Sequence, residues 1–225
     1  MTDIERNIDI VTRLVDVVHE GQVRKGSGDP YSGHPKDVLV LVKSLFLSPF
    51  SPDQQTEAGI FGVDTLGNAY NFIVCSATLL HDAIEDGKWR DKPITISILA
   101  GLLRFERACV ENEAMLIAEL VHQLTSLDKV GPVCVSDQNR AKRKELMRER
   151  VQFMSVPGIA IKACDRLDNT KKLSELEPKF ALKYAQESIE LFEMLHSYLP
   201  KHYNNLHEAV MERRRELSLF VKEMS

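Results

Sequence analysis

The stretch Ala77-Thr78-Leu79-Leu80-His81-Asp82-Ala83-Ile84-Glu85-Asp86 constrains this chain more than any other. Its first half is apolar and reads as the end of a buried helix running from Asn71 to Glu85. Residues three and four apart share a helical face. Glu85 therefore falls on the face of His81 and Asp82, with Asp86 one turn beyond Asp82. Four ionisable groups meet where the flanking sequence points inward. A buried charge without a partner is costly, and a metal ion is the simplest partner for an imidazole beside a carboxylate. Read alone, the same stretch also fits a solvated acidic helix end.

The rest of the chain predicts an all-α fold. Apolar residues recur at helical spacing over Ile4 to His19, Pro35 to Leu45, Ile94 to Phe105, Ala114 to Leu124, Lys179 to Tyr198 and Tyr203 to Met224. Gln138 to Phe153 reads as a charged helix whose run Arg140 to Arg150 is a solvated face with intrahelical pairs, broken at Pro157-Gly158. A further helix, Ile159 to Leu173, starts apolar. Leu47 to Gly67, Asp86 to Pro93 and Thr125 to Asp137 read as loops. A length of 225 residues can bury a full core and suits one domain, residues 1–198, with a helical extension over 199–225 packed on it.

Composition narrows the function classes. A net charge of -4 gives no overall pull towards nucleic acid or an anionic membrane. Met1 to Glu20 carries acids and no long apolar core, so it reads as neither signal peptide nor membrane span. Cys75, Cys109, Cys134 and Cys164 lack metal-type pairing, and Cys75 and Cys164 fit core packing. Such cysteine usage suits a reducing cytoplasm. The sequence sets no oligomeric state.

Two further segments carry candidate chemistry. The loop Gln22 to His34 leads into a helix whose first turn suits Pro35. His34 thus stands at a helix start, although a histidine before a proline is more often structural than a ligand. In Lys162-Ala163-Cys164-Asp165-Arg166-Leu167-Asp168-Asn169, Asp165 and Asn169 share a face, with Lys162 one turn before and Lys172 further on. His196, His202 and His207 lack acids at ligand spacing and read as structural or surface residues. His34, His81, Asp82 and Asp165 together form a mixed N/O set that suits Mn²⁺, Fe²⁺ or Zn²⁺. A divalent ion there would activate water and polarise a phosphoryl oxygen, with Glu85 and Asp86 placed to take up or orient the water.

In the order H…HD…D the chain resembles the HD superfamily of metal-dependent phosphohydrolases. Arg24-Lys25, Gly28 to Pro35, Ala77 to Asp86 and Lys162 to Asn169 resemble, more narrowly, the (p)ppGpp hydrolase domain of RelA/SpoT proteins and the small alarmone hydrolases. The likeness spans roughly Val11 to Ser197 and implies an HD-type helical bundle. It implies a stand-alone, Mn²⁺-dependent enzyme that cleaves (p)ppGpp to GDP or GTP and diphosphate. The resemblance makes His34, His81, Asp82 and Asp165 the metal ligands, and Glu85 and Asp86 the acids handling the attacking water. Arg24, Lys25, Lys129, Asn169 and Lys172 become substrate-binding positions. On residue chemistry alone, Arg24 also fits a cap on the first helix's C-terminus. Three departures stand out: Asp168 where the family commonly has histidine or tyrosine, Lys172 where an uncharged residue is common, and a long Leu47 to Gly67 segment. Asp168 is expected to add negative charge near a phosphate site. The alternatives are the same site acting on another nucleotide, such as the 2′-phosphate of NADPH or a deoxynucleotide, and a non-catalytic nucleotide-binding HD module.

Overall fold

A computed structural model describes residues 3–24, 28–47, 67–125 and 140–224, without the side chains of 67, 68 and 140–144. Lys25, Lys129 and Cys134 lie outside the described residues, as does nearly all of the Leu47 to Gly67 segment.

The architecture is all-α, as the periodicity predicts. Helix α1 (Asp3–Val18) buries Val11, Leu14, Val15 and Val18 along one stripe, with Asp3 and Glu5 in its first turn, where acids favour the helix dipole. Helix α2 (Gly33–Leu45) buries His34, Pro35, Val38, Leu39 and Val42. Helix α3 (Gly67–Leu79) is buried on every side from Phe72 onward, because α1, α2 and a later helix surround it. A single turn, α4 (Ala83–Asp86), and a two-stranded hairpin (Lys88–Trp89 with Lys92–Pro93) follow. The hairpin replaces the expected polar loop. Its turn residues Arg90 and Asp91 both have positive φ, the twist that a two-residue hairpin turn requires. Gly87 closes α4, since a Cβ there would collide with the carbonyl of Ala83.

Helices α5 (Ile96–Phe105) and α6 (Glu111–Leu124) pair with each other. Thr95 caps the first, accepting from Ile98 N at 3.3 Å, and Glu113 accepts from Val110 N at the start of the second. The charged segment forms α7 (Arg140–Val151). Helix α8 (Val156–Asn169) packs on α2, α6 and the next helix and is buried at every position from Pro157 to Asp165. Helices α9 (Pro178–Tyr198) and α10 (Asn204–Met224) close the bundle as a long pair, with α10 also against α8 and α2.

Three expectations are corrected. Pro157-Gly158 begins α8 instead of breaking a helix: Ser155 caps it, and proline in the first turn forfeits no intrahelical bond. Helix α8 ends at Asn169, so Lys172 lies beyond it on an exposed segment. Arg150 is no member of a solvated face. Its guanidinium reaches the end of α6, donating to the carbonyls of His122 and Gln123. Carbonyls in the last turn of a helix have no regular intrahelical partner, and His122 O accepts only a longer bond from Thr125 N at 3.3 Å among the described residues, so a cation there both caps the helix and joins two elements.

Candidate metal centre and cleft

The central helix does not run on through His81. It stops at Leu79, and Leu80 to Asp82 form a turn. The cause is local. The Thr78 hydroxyl donates back to Val74 O at 2.7 Å, a contact that bends helices. The Thr78 carbonyl meanwhile accepts from His81 Nδ1 at 2.8 Å and, more weakly, from its backbone N–H. The turn swings His81 and Asp82 toward α2 and α8.

There they meet His34, from the start of α2, and Asp165, from the third turn of α8. His34 Nε2 is 3.2 Å from Asp165 Oδ1 and 3.9 Å from Asp82 Oδ2. His81 Nε2 is 3.0 Å from Asp82 Oδ2 and 3.6 Å from Asp165 Oδ1. Two donors on one ion at about 2.1 Å stand roughly 3 to 4.2 Å apart, depending on the angle between them. Each separation falls in that range. Ligand atoms of His34, His81 and Asp165 all lie within 4.8 Å of one another, and all three residues are buried.

Protonation makes the case for a cation. His81 Nδ1 faces a carbonyl and must donate, so in the neutral imidazole Nε2 carries the lone pair. That buried Nε2 makes no hydrogen bond, yet Asp82 Oδ2 is 3.0 Å away. His34 repeats the pattern. Its Nδ1 is 2.7 Å from Asp168 Oδ2, so Nδ1 donates and Nε2 turns its lone pair on Asp165. Two lone pairs aimed at two carboxylates repel unless positive charge lies between them. Burial disfavours protonation of both imidazoles, but Asp82 and Asp165 outweigh it and raise the affinity of His81 for a proton well above its ordinary value. Asp165, and Asp168 with it, do the same for His34. Burial also pushes the Asp165 carboxyl up, and Lys162 with the imidazoles more than reverses this. A pocket that demands positive charge, built from two imidazole nitrogens and carboxylate oxygens, fits a divalent transition metal.

The supporting residues are mostly ones to which the sequence assigns no role. Tyr31 donates its hydroxyl to Asp82 Oδ2 at 2.5 Å. Burial and the adjacent Asp82 raise its pKa far above the ordinary phenol value, so it stays a donor. Lys162 is buried with its Nζ 3.3 Å from Asp165 Oδ2. A lone lysine in an apolar helical run has to find a buried acid, which is the signal that marks it. Asn169 donates to Asp165 Oδ1 at 2.5 Å and accepts from Arg24 at 3.4 Å. Arg24 Nη2 also meets Asp168 Oδ2 at 3.2 Å. Arg24 thus reaches across to α8 and does not cap α1. Asp168 adds no free charge, contrary to expectation: His34, Arg24 and Lys171 surround it. Burial raises its carboxyl, but the bonds from His34 and Lys171 prevail and hold it at about 2.

The cluster opens on a cleft of about 1130 Å³, a size suited to a nucleotide. Arg24, Lys36, Lys171 and Lys172 line it, and so do five acids, Asp86 and Asp168 among them, with Asn169 beside them. Glu85 is half-buried on α4, where its charge acts on Lys162 and Arg150. His196, His202 and His207 lie far along the chain in the α9–α10 pair, where His196 and His207 stack edge to face at 4.5 Å.

Cleft and donor cluster define a helical protein in which histidines and carboxylates from three helical segments converge in a cluster that fits a divalent metal. No protein-family model matches the chain. It is 28% identical over 185 residues to the bifunctional (p)ppGpp synthase/hydrolase SpoT of Escherichia coli, covering 82% of this chain and 20% of that protein. It is 26% identical over 193 residues to a GTP pyrophosphokinase of Streptomyces coelicolor, covering 85% and 18%. The chain therefore spans about a fifth of these relatives' length. A solved structure described as a metazoan ortholog of SpoT that hydrolyses ppGpp shares the fold, with a TM-score of 0.61 at 19% identity over 93% of this chain and 94% of that one. The resemblance to the RelA/SpoT group holds in sequence, and the helical fold is shared with that solved structure. Among the described residues, no helix is long and apolar enough to cross a membrane.

Proposed function

We propose that the chain is a metal-dependent pyrophosphohydrolase that removes the 3′-diphosphate of ppGpp or pppGpp, giving GDP or GTP and diphosphate. The observation that carries this reading is the pair of imidazoles, each fixed through Nδ1, whose Nε2 atoms face carboxylates beside a cleft that His34 and four cations help to line. The names of the similar proteins supply the substrate class.

His34, His81, Asp82 and Asp165 would hold the ion, with Mn²⁺ preferred and Fe²⁺ or Zn²⁺ possible for the same donors. When bound, such an ion lowers the pKa of water and polarises a phosphoryl oxygen. Glu85 takes the proton of the attacking water, and Asp86, at the cleft, orients that water. The water oxygen bonds to the phosphorus attached to ribose O3′, the P–O3′ bond breaks, and O3′ leaves with a proton. Arg24 and Lys172 offset phosphate charge from the cleft wall, and Asn169 holds the nucleotide side of the site. Lys25 and Lys129 are assigned to the substrate on sequence alone. Residues 1–198 form the catalytic unit, with 199–225 packed on it, acting on a small nucleotide in the cytoplasm without nucleic acid or membrane.

A nucleotide panel with Mn²⁺, read by ion-exchange chromatography, tests the reading. Turnover of ppGpp to GDP and diphosphate is expected. If ppGpp is untouched while NADPH or a deoxynucleotide loses phosphate, the substrate assignment fails. Binding of the panel with no turnover at all would leave a nucleotide-binding module.

A further inference from the structure

Asp168 stands out because its chemistry is directed at two partners with different tasks. Its side chain is 4% exposed, and both oxygens are engaged. Oδ1 meets Lys171 at 3.0 Å. Oδ2 takes the His34 Nδ1 proton at 2.7 Å and also the Arg24 guanidinium at 3.2 Å. Asp165 and Asp168 are three apart on α8, so one helical turn presents a carboxylate to each nitrogen of the same imidazole. His34 is clamped between them: Nε2 to Asp165, Nδ1 to Asp168.

We infer that Asp168 is a positioning residue that locks His34 as an Nε2 donor for a divalent transition metal and, through the same oxygen, holds Arg24 at the cleft wall. Nothing else among the described contacts of the His34 ring performs the first task, since Asp82 faces Nε2 at 3.9 Å and the other neighbours are Tyr31, seen edge-on at 5.8 Å, and His81 at 5.2 Å. A carboxylate on the far nitrogen of a ligating histidine fixes both tautomer and ring orientation and raises ligand basicity. The Arg24 half of the inference rests on the nucleotide reading above; the metal half does not.

The test is Mn²⁺ affinity, measured without nucleotide from the free-ion electron paramagnetic resonance signal, on protein stripped of metal and reloaded. Asp168→Ala is expected to weaken binding by roughly 10- to 100-fold. Asp168→Asn, whose amide oxygen can still accept a hydrogen bond from Nδ1 but carries no charge, should fall between that and wild type. Lys171→Ala removes the contact to Oδ1 but leaves the Oδ2 bond to His34, so it should weaken Mn²⁺ binding less than Asp168→Asn does. A merely structural Asp168 would lower melting temperature in all three variants and leave the affinities equal, and that result overturns the inference. Should Asp168→Ala fail to fold, unchanged affinity in Asp168→Asn overturns it alone. Wild-type protein that takes up no divalent ion removes the metal reading and this inference together. If the metal effect appears while no nucleotide is turned over, only the proposed substrate fails. With a substrate in hand, Arg24→Ala should raise KM without altering Mn²⁺ affinity, whereas Asp168→Ala should change both.

Discussion

His81 and His34 reach one cluster by opposite means. His81 is fixed by backbone: its Nδ1 is tied to the Thr78 carbonyl three residues back, within its own turn. His34 is fixed by side chains: its Nδ1 is tied to Asp168, 134 residues away, which is itself held by Arg24 and Lys171. The first anchor survives most substitutions around it, because a carbonyl belongs to every residue. The second depends on particular side chains and links the donor cluster to the cleft. Changes near His81 should therefore touch metal alone or nothing, and changes near His34 should reach substrate as well.

The largest expected effect is common to both histidines. Asp82 lies against each Nε2, at 3.0 Å and 3.9 Å. Asp82→Ala should abolish stoichiometric metal and activity while circular dichroism shows the helices intact, since the core of Val11, Leu79, Leu120 and Ile161 does not involve the cluster. Metal content by elemental analysis checks this; a full equivalent of bound ion in the variant contradicts the four-donor set.

Next comes the chemical step. Glu85→Gln keeps size and hydrogen bonding but cannot accept a proton. Loss of a general base costs roughly 10²- to 10⁴-fold, so kcat should fall by that order with Mn²⁺ affinity and KM little changed. A kcat near wild type would reduce Glu85 to a partner of Lys162 and Arg150.

Thr78→Val sharpens the contrast directly. It removes the hydroxyl that bonds Val74 O but leaves the carbonyl that holds His81. Stability should shift by about 1 kcal/mol or less, and Mn²⁺ affinity should fall less than in Asp168→Ala. Equal weakening by Thr78→Val and Asp168→Ala would erase the distinction between the two anchors.

The smallest effect lies on the surface. Lys36 Nζ is 2.7 Å from Asp16 Oδ1, with both side chains well exposed. Burial raises the Asp16 carboxyl slightly, and the Lys36 hydrogen bond outweighs it, so the folded value is lowered. A lowered folded value means stability present above the unfolded value, about 3.9, and lost as pH falls through the folded one. Exposed pairs contribute about 0.2–1 kcal/mol, so Asp16→Asn should flatten the acid limb of the melting curve by no more than that. A larger loss would place Asp16 in a network wider than its lysine.

The fold was legible because apolar spacing states which face each helix buries. Ile8, Val11, Leu14, Val15 and Val18 predict α1, and all are buried but Ile8, which is half-buried. The turn at Leu80 to Asp82 was not legible, because periodicity cannot register the Thr78 back-bonds that end α3 early. Arg150 shows a similar limit: a basic run in sequence does not reveal that one member caps a distant helix. At the site, residue types and order single out His34, His81, Asp82 and Asp165, which the fold brings together. Their support was less visible. Tyr31 and Asp168 gain meaning only from partners 51 and 134 residues away, and a long-range hydrogen bond leaves no periodic trace.

The most direct measurement follows ppGpp by ³¹P nuclear magnetic resonance, with metal-stripped protein and with the same protein carrying one equivalent of Mn²⁺. Stripped protein should leave ppGpp unchanged, and the loaded protein should convert it to GDP and diphosphate. Intact ppGpp beside fully loaded protein, or equal turnover by stripped protein, would contradict a metal-dependent attack on the 3′-diphosphate.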